Sequence, residues 1–249
     1  MGRDLVNDES VASRLDERYK RSYSMEAPIY DRKRFTGLSG RFLFETLNYQ
    51  IQELTKPGFI LDVATGTGRV AIPLSQKYPN SKVVGLDLTN EMIRQAKIKA
   101  EREGTKSLSL IIGNGRKLPF KDNTFTTITC VRFFHLFPFE IQNLFLNEFY
   151  RCLKPGGRII IEYNNPLYNF GLELLRDKKW RRGFRKMLWP WRLLALKRKY
   201  QVREIKGVIL PLHLKIRQYL PSIYRLYSNM TRHFLYKWFS MFILVVFEK

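Results

Sequence analysis

Cysteine is nearly absent from this 249-residue chain: Cys130 and Cys152 are its two. Two thiols cannot staple a small scaffold, so a disulfide framework is excluded and a reducing cytoplasm suits the composition. Both sit among apolar neighbours and read as small core residues. Histidine is almost as scarce, with three in all, and the histidines and cysteines show no metal-ligand spacing. Long apolar runs are missing too. None reaches the ~18 to 20 residues of a spanning helix, and the longest, Phe234 to Phe247, contains Lys237 and Ser240. The opening Met-Gly-Arg-Asp-Leu-Val lacks the apolar core of a signal peptide. Acidic residues are the last shortage, 22 against 44 Lys and Arg, which leaves a net charge of +22.

That charge is unevenly placed. Residues 1–165 hold 25 Lys/Arg and 18 Asp/Glu, whereas residues 166–249 hold 19 and 4. A basic excess concentrated in the last third points to a polyanionic partner: a phospholipid surface, nucleic acid or an acidic substrate. The length and the 45% apolar content fit one globular domain able to bury its own core.

What the chain does have is the stretch Phe59-Ile-Leu-Asp62-Val-Ala64-Thr-Gly66-Thr67-Gly68-Arg-Val70. Its apolar start suits a strand buried on both faces of a parallel sheet. Its small residues let the backbone turn tightly and approach a ligand. A helix from Val70 to Lys77 is expected next, with its N-terminus toward that ligand. Asp62 closes the first strand and Asp87 closes the next apolar run, Val83 to Leu86. Two carboxylates and a glycine turn at adjacent strand ends make a nucleoside site, because a carboxylate can accept from both ribose hydroxyls. The spacing Gly66-x-Gly68-x-x-Ala71 also satisfies the dinucleotide pattern, so later residues must decide.

Upstream, residues 1 to about 24 are polar and charged and read as a loose helix or tail. The segment from Glu26 to Phe35 reads either as a solvated turn or as a piece folded over the site. Gly37 to Gly40 is expected to be a flexible break. Phe44, Leu47, Ile51 and Leu54 recur at helical spacing and predict a core-facing stripe. Downstream, Asn90 can cap a helix reaching about Glu103. Leu108 to Ile112 is a third strand, ending in Gly113-Asn114-Gly115-Arg116 and then Leu118-Pro119-Phe120. Thr126 to Val131 is strand four and leads into Phe133-Phe134-His135-Leu136-Phe137. Ile141, Leu144, Phe145, Phe149, Cys152 and Leu153 mark a helix face, and Lys154-Pro155-Gly156-Gly157 turns into strand five, Ile159 to Glu162. Tyr200 to Val208 reads as strand six, 212–238 as mainly helical, and Phe242 to Phe247 as the last strand.

Taken together, these residues resemble a class I S-adenosylmethionine (SAM)-dependent methyltransferase, and in particular the branch that includes the ubiquinone/menaquinone C-methyltransferases. The glycine loop with Ala64 in its first small position carries the resemblance. So do Asn114 before Leu-Pro-Phe and the Leu-Lys-Pro-Gly-Gly turn, all in order across residues 59–163. The resemblance implies an α/β, Rossmann-like fold: a mostly parallel seven-stranded sheet with helices on both faces and an antiparallel last strand. It implies one methyltransferase domain over 1–249, with a helical cap at 1–55, a SAM-binding core at 56–165, and a basic, aromatic part at 166–249 that completes the sheet.

The cofactor implied is SAM. The resemblance sets the amides of Gly66, Thr67 and Gly68 against the methionine portion and Asp62 near its ammonium. Asp87, with Leu88 beside it, takes the ribose, Asn114 and Gly115 flank the adenine, and Val131 adds a backbone contact. The Asn114 amide can supply both a donor and an acceptor to the adenine edge. His135 is the candidate general base, since an imidazole titrates near neutrality. No metal is expected. The function implied is methyl transfer to a small-molecule acceptor, lipid-like or aromatic, at a membrane surface. For the surface itself, Trp180 to Lys199 combines three tryptophans with a dense run of cations suited to anionic lipid. Two alternatives stay open: an RNA or DNA methyltransferase using the same basic segment on phosphates, and a non-catalytic protein of the same fold.

Overall fold

The computed structural model describes residues 2–35, 38–105, 107–165, 167, 188–208 and 240–249. Among them, strands β1 (Phe59–Val63), β2 (Lys82–Asp87), β3 (Leu108–Ile112), β4 (Phe125–Cys130), β5 (Leu153–Asn164), β6 (Gln201–Val208) and β7 (Phe242–Glu248) form one sheet. Its order is β3-β2-β1-β4-β5-β7-β6. The first five strands are parallel, and β7 enters antiparallel to both β5 and β6. This is the expected architecture, including the antiparallel last strand. The strand order reverses between β1 and β4, and the crevice outside the carboxyl ends at such a reversal is where open α/β sheets take ligands.

Alternation along the strands divides the core in two. Leu61, Val63, Ile128, Cys130, Ile159 and Ile161 belong to one buried cluster with α6 (Phe139–Cys152). Ile60, Val83, Ile160, Leu244 and Val246 belong to the other, with α3 (Leu38–Leu54) and α4 (Ala71–Lys77). The predicted stripe Phe44, Leu47, Ile51 and Leu54 is buried against that second face. Both cysteines are buried. Burial raises the Cys130 thiol well above its ordinary range and pushes Cys152 to about 11, so both stay protonated and inert.

Three local readings change. Of the two expectations for the N-terminal segment, a loose helix or a tail, the structure shows the helix, α1 (Gly2–Glu26), 25 residues long and packed on the core rather than loose. Its Ala12 is fully buried, and Leu15 and Tyr19 pack on the first core cluster. These three residues, spaced i, i+3 and i+7, make a narrow apolar stripe diluted by charges on the other faces. After a single 3-10 turn (Ala27–Ile29) comes α2 (Tyr30–Phe35). Gly40 lies inside α3 rather than in a break; residues 36–37 lie outside the described part. Strand β5 begins at Leu153, six residues before the expected Ile159. The Lys-Pro-Gly-Gly segment extends the strand as an irregularity: Phe125 pairs with Leu153, then Thr127 with Arg158. The expected helical region at 212–238 lies outside the described residues.

The remaining helices are α5 (Asn90–Arg102), with Met92, Ile93, Ala96 and Ala100 buried, and α7 (Pro190–Lys199), with Leu193 and Leu196 buried. Among the described residues, no helix is long and apolar enough to cross a membrane.

Candidate active site

At the carboxyl end of β1 the backbone enters the left-handed region three times, at Ala64 (φ 57°), Gly66 (φ 54°) and Gly68 (φ 78°). A side chain at Gly68 would meet Ile72 Cδ1 at 2.8 Å, so glycine there permits α4 to start tight against the turn. At Gly66 the opposite holds. No protein atom lies within 4 Å of where a Cβ would stand, and the backbone is bare toward the cleft.

Two carboxylates brace this turn. Asp87, at the end of β2, accepts from Gly66 N at 2.8 Å through Oδ2 and from Thr89 N at 2.9 Å through Oδ1. Burial raises its pKa, and the two amide bonds oppose the rise. Asp62, 2% exposed, accepts from Thr65 Oγ1 and Thr129 Oγ1, each at 2.7 Å. Burial pushes its pKa from an ordinary 3.8 up to about 6, the two hydroxyls pull it down, and the charge on Asp87 adds to the rise. Gly68 N is spent inside the turn on Thr65 O at 2.9 Å, and Gly66 N on Asp87. Two of the three amides aimed by the sequence at the methionine portion therefore hold the turn itself, and the loop's small residues act chiefly by leaving room.

The turn opens onto a cleft of about 730 Å³, counting its mouth. Of the residues singled out by sequence, Ala64, Gly66, Asp87, Leu88, Asn114, Gly115 and Val131 line it. A recess of about 360 Å³ beside it is lined by Asp62, Thr67 and, in common with the cleft, Ala64, Gly66 and Val131. Gly68 faces a shallow groove on the far side of the turn. His135 lies on the 3-10 turn Phe134–Leu136, whose neighbours Phe133, Leu136 and Phe137 face the cleft while His135 is not part of either wall. Among the described residues, no group of His, Cys, Asp and Glu is placed to hold a metal ion.

Several lining residues went unread in the sequence. Helix α1 contributes Asp16, Tyr19, Lys20 and Tyr23. Tyr19 and Tyr23 continue the Ala12–Leu15 stripe at helical spacing, which was the available signal. Tyr19 OH donates to Leu136 O at 2.8 Å, tying the helix to the loop after β4. Tyr23 stacks edge-on with Tyr30 at 6.0 Å, and burial pushes its phenol up to about 12. Asp31 fastens α2 to the glycine turn, accepting from Thr67 Oγ1 at 2.7 Å and pairing with Arg69 at 3.3 Å and Lys99 at 2.6 Å. Arg132 is a non-glycine residue at φ 57°, a conformation costing about 1–3 kcal/mol. Its amide donates at 2.7 Å to Glu162, which is 1% exposed, and its guanidinium lies 4.8 Å over the Phe242 ring. Arg132 thereby stands where cleft and recess meet.

The donor set fits a nucleoside carrying a cationic tail: a bare turn, a strand-end carboxylate with lone pairs to spare, and a second buried carboxylate beyond it. Residues 60–157 match a family described as methyltransferase domain. The chain is similar to the ubiquinone/menaquinone biosynthesis C-methyltransferase UbiE of Ruegeria sp. (strain TM1040), 37% identical over 124 residues that cover 47% of each chain. It is also similar to the demethylmenaquinone methyltransferase of Deinococcus radiodurans, 39% identical over 107 residues covering 42% of each. The matched part thus spans about half the length of these curated relatives. The fold extends further: the crystal structure of the PH0226 protein from Pyrococcus horikoshii OT3 is similar at a TM-score of 0.63 and 21% identity, over 88% of this chain and 97% of that one.

Residues 60–157 thus carry the match to a methyltransferase domain, and they lie within the seven-stranded sheet whose last strand is antiparallel. The similarity to the two curated methyltransferases named above is confined to about half of this chain.

The raised pKa of Asp62 has a consequence for stability. The folded state holds this proton more tightly than the unfolded chain, so stability falls as pH rises between about 4 and 6. The slope from one such group is roughly 1 kcal/mol per pH unit inside that window. Urea unfolding at pH 4.5, 5.5, 6.5 and 7.5 is expected to show this decline in the wild type and a flatter profile in Asp62→Asn.

Proposed function

We propose that this protein transfers the methyl group of SAM to a small acceptor, lipid-like or aromatic, held in the cleft beneath α1. The observation that carries this reading is the cleft itself: a carboxylate at the end of β2, a bare glycine turn, and aromatic lining from Tyr23, Tyr30, Phe133 and Phe137. An enclosed, aromatic cleft suits a flat or apolar acceptor better than a polynucleotide, which needs an open groove along phosphates.

SAM supplies an activated methyl on a sulfonium, so the protein need not generate an electrophile. What the chain provides is position. Asp87 accepts the ribose hydroxyls on lone pairs left free by Gly66 and Thr89, with Leu88 alongside. Asn114 and Gly115 border the adenine. Asp62 in the recess attracts the methionine ammonium, Ala64, Gly66, Thr67 and Gly68 shape the space for that end, and Val131 offers its backbone. Helix α1 and Tyr30 cover the site and exclude water. Such positioning can lower a barrier by on the order of 7 to 11 kcal/mol. A proton lost from the acceptor requires a base, and His135 serves that role only if the Phe134–Leu136 turn shifts, since it is not on the cleft wall here.

The basic segment supports contact with an anionic membrane surface. Trp191 (56% exposed) and Leu194 (58% exposed) share one face of α7, with Lys197 and Arg198 one turn on. Trp189 is buried and stacks on Trp191 at 5.0 Å, which anchors the exposed ring to the domain. Trp180 lies outside the described residues. Juxtamembrane cations contribute about 1 kcal/mol each and are screened by salt. Co-sedimentation with anionic vesicles at low salt is expected, weakening at high salt and in Trp191→Ala/Leu194→Ala. Failure to pellet at low salt would remove the membrane from the account.

The cofactor assignment is tested at Asp87. Asp87→Ala should weaken S-adenosylhomocysteine binding roughly 10- to 100-fold, the loss of about 1.5–3 kcal/mol expected for a hydrogen bond to a charged acceptor. Some stability should go with it, since Gly66 N and Thr89 N lose their acceptor. Calorimetry finding unchanged affinity in a folded variant would overturn the assignment.

A further inference from the structure

Among the residues lining the cleft, Leu88, Met92 and Phe145 supply apolar surface, and Asp16 and Asn114 supply hydrogen-bonding groups. Apolar surface with a few polar groups is the chemistry that suits a purine. The two polar residues are linked. Asn114 Nδ2 donates to Asp16 Oδ2 at 2.9 Å, and Asn114 Oδ1 accepts from Arg116 N at 2.9 Å. Arg116 also pairs with Asp16 Oδ2. Asp16 is largely buried, with its side chain 12% exposed. Both of its contacts fall on Oδ2, and among the described residues Oδ1 has no partner. Asp16 lines the cleft, so a carboxylate oxygen that these contacts leave unengaged is open to a donor on a bound ligand.

We infer that Asp16 reads the adenine of the cofactor, its Oδ1 accepting from the 6-amino group while Asn114 and Arg116 hold the carboxylate in place. The inference rests on the SAM reading and adds to it a residue from outside the matched domain. It also gives α1 a role in cofactor recognition as well as cover: the helix is seated by the same carboxylate that reads the base. A carboxylate cannot donate, so a nucleoside without the 6-amino group loses the bond and gains nothing in exchange.

The test compares S-adenosylhomocysteine with its analogue bearing hydrogen in place of the 6-amino group, by calorimetry. Because Asp16→Ala alone strands a buried guanidinium, the variants are Arg116→Ala and the double change Asp16→Ala/Arg116→Ala, with circular dichroism to confirm folding. The wild type and Arg116→Ala are expected to prefer the amino compound tenfold or more, and the double variant less than threefold. If the ion pair merely pins the helix, Arg116→Ala will lose the preference as fully as the double variant, and the inference fails. Equal preference in all three proteins also overturns it. A wild type that binds neither compound would instead bring down the cofactor reading on which the inference stands.

Discussion

The site depends on one carboxylate held between two backbone amides. Asp87 sits at the end of β2, yet one of its oxygens accepts from Gly66, in the turn that follows β1. The other accepts from Thr89, at the start of α5. A single side chain thereby fixes the spacing of two strand ends and the entry of a helix. The turn can accept this tether because Ala64, Gly66 and Gly68 adopt left-handed backbone conformations that place the Gly66 amide toward β2. Burying a carboxylate is costly, and here the cost is offset by amide donors rather than by a cation. A buried anion without a cationic partner leaves the site electrostatically prepared for a ligand with hydroxyl donors and positive charge.

Over this rigid floor lies a cover of a different physical kind. Helix α1 and the short α2 are held by a few polar links: Asp16 to Asn114 and Arg116, Tyr19 to Leu136, Ser24 to Glu91, and Asp31 to Thr67, Arg69 and Lys99. Among the described side chains of α1, a thin apolar stripe of Ala12, Leu15 and Tyr19 packs on the core. Partly exposed ion pairs contribute little each, so such an element belongs to the low-stability end of a structure, where lids are found. Two of these links end on residues that line the cleft, Asn114 and Leu136.

The core was legible in the sequence because its signals are local. The run Phe59 to Val63 reads as a buried strand on its own, the turn residues follow it directly, and Asp87 ends the next apolar run. The stripe Phe44, Leu47, Ile51 and Leu54 needs nothing but helical period. What escaped was set by contacts between distant parts of the chain. The segment around Asp31 read either as a solvated turn or as a piece folded over the site, and what seats it comes from Thr67, Arg69 and Lys99, none of them near in sequence. Helix α1 was hidden because its buried face is made of Ala, Leu and Tyr at wide spacing among charges. The left-handed Arg132 over buried Glu162 leaves no trace in local pattern at all. His135 shows the reverse error. Its loop does border the cleft, but a 3-10 turn presents neighbouring side chains in different directions, and Phe133, Leu136 and Phe137 take the wall.

The curated methyltransferases share about half their length with this chain, and the match to a methyltransferase domain, residues 60–157, lies in the floor rather than the cover. The most direct measurement of the central claim is a crystal structure with S-adenosylhomocysteine. The account predicts ribose hydroxyls on Asp87, adenine beside Leu88, Met92 and Phe145, and the homocysteine end over Gly66 toward Asp62. Density for the ligand elsewhere, or a ribose that leaves Asp87 untouched, would contradict it.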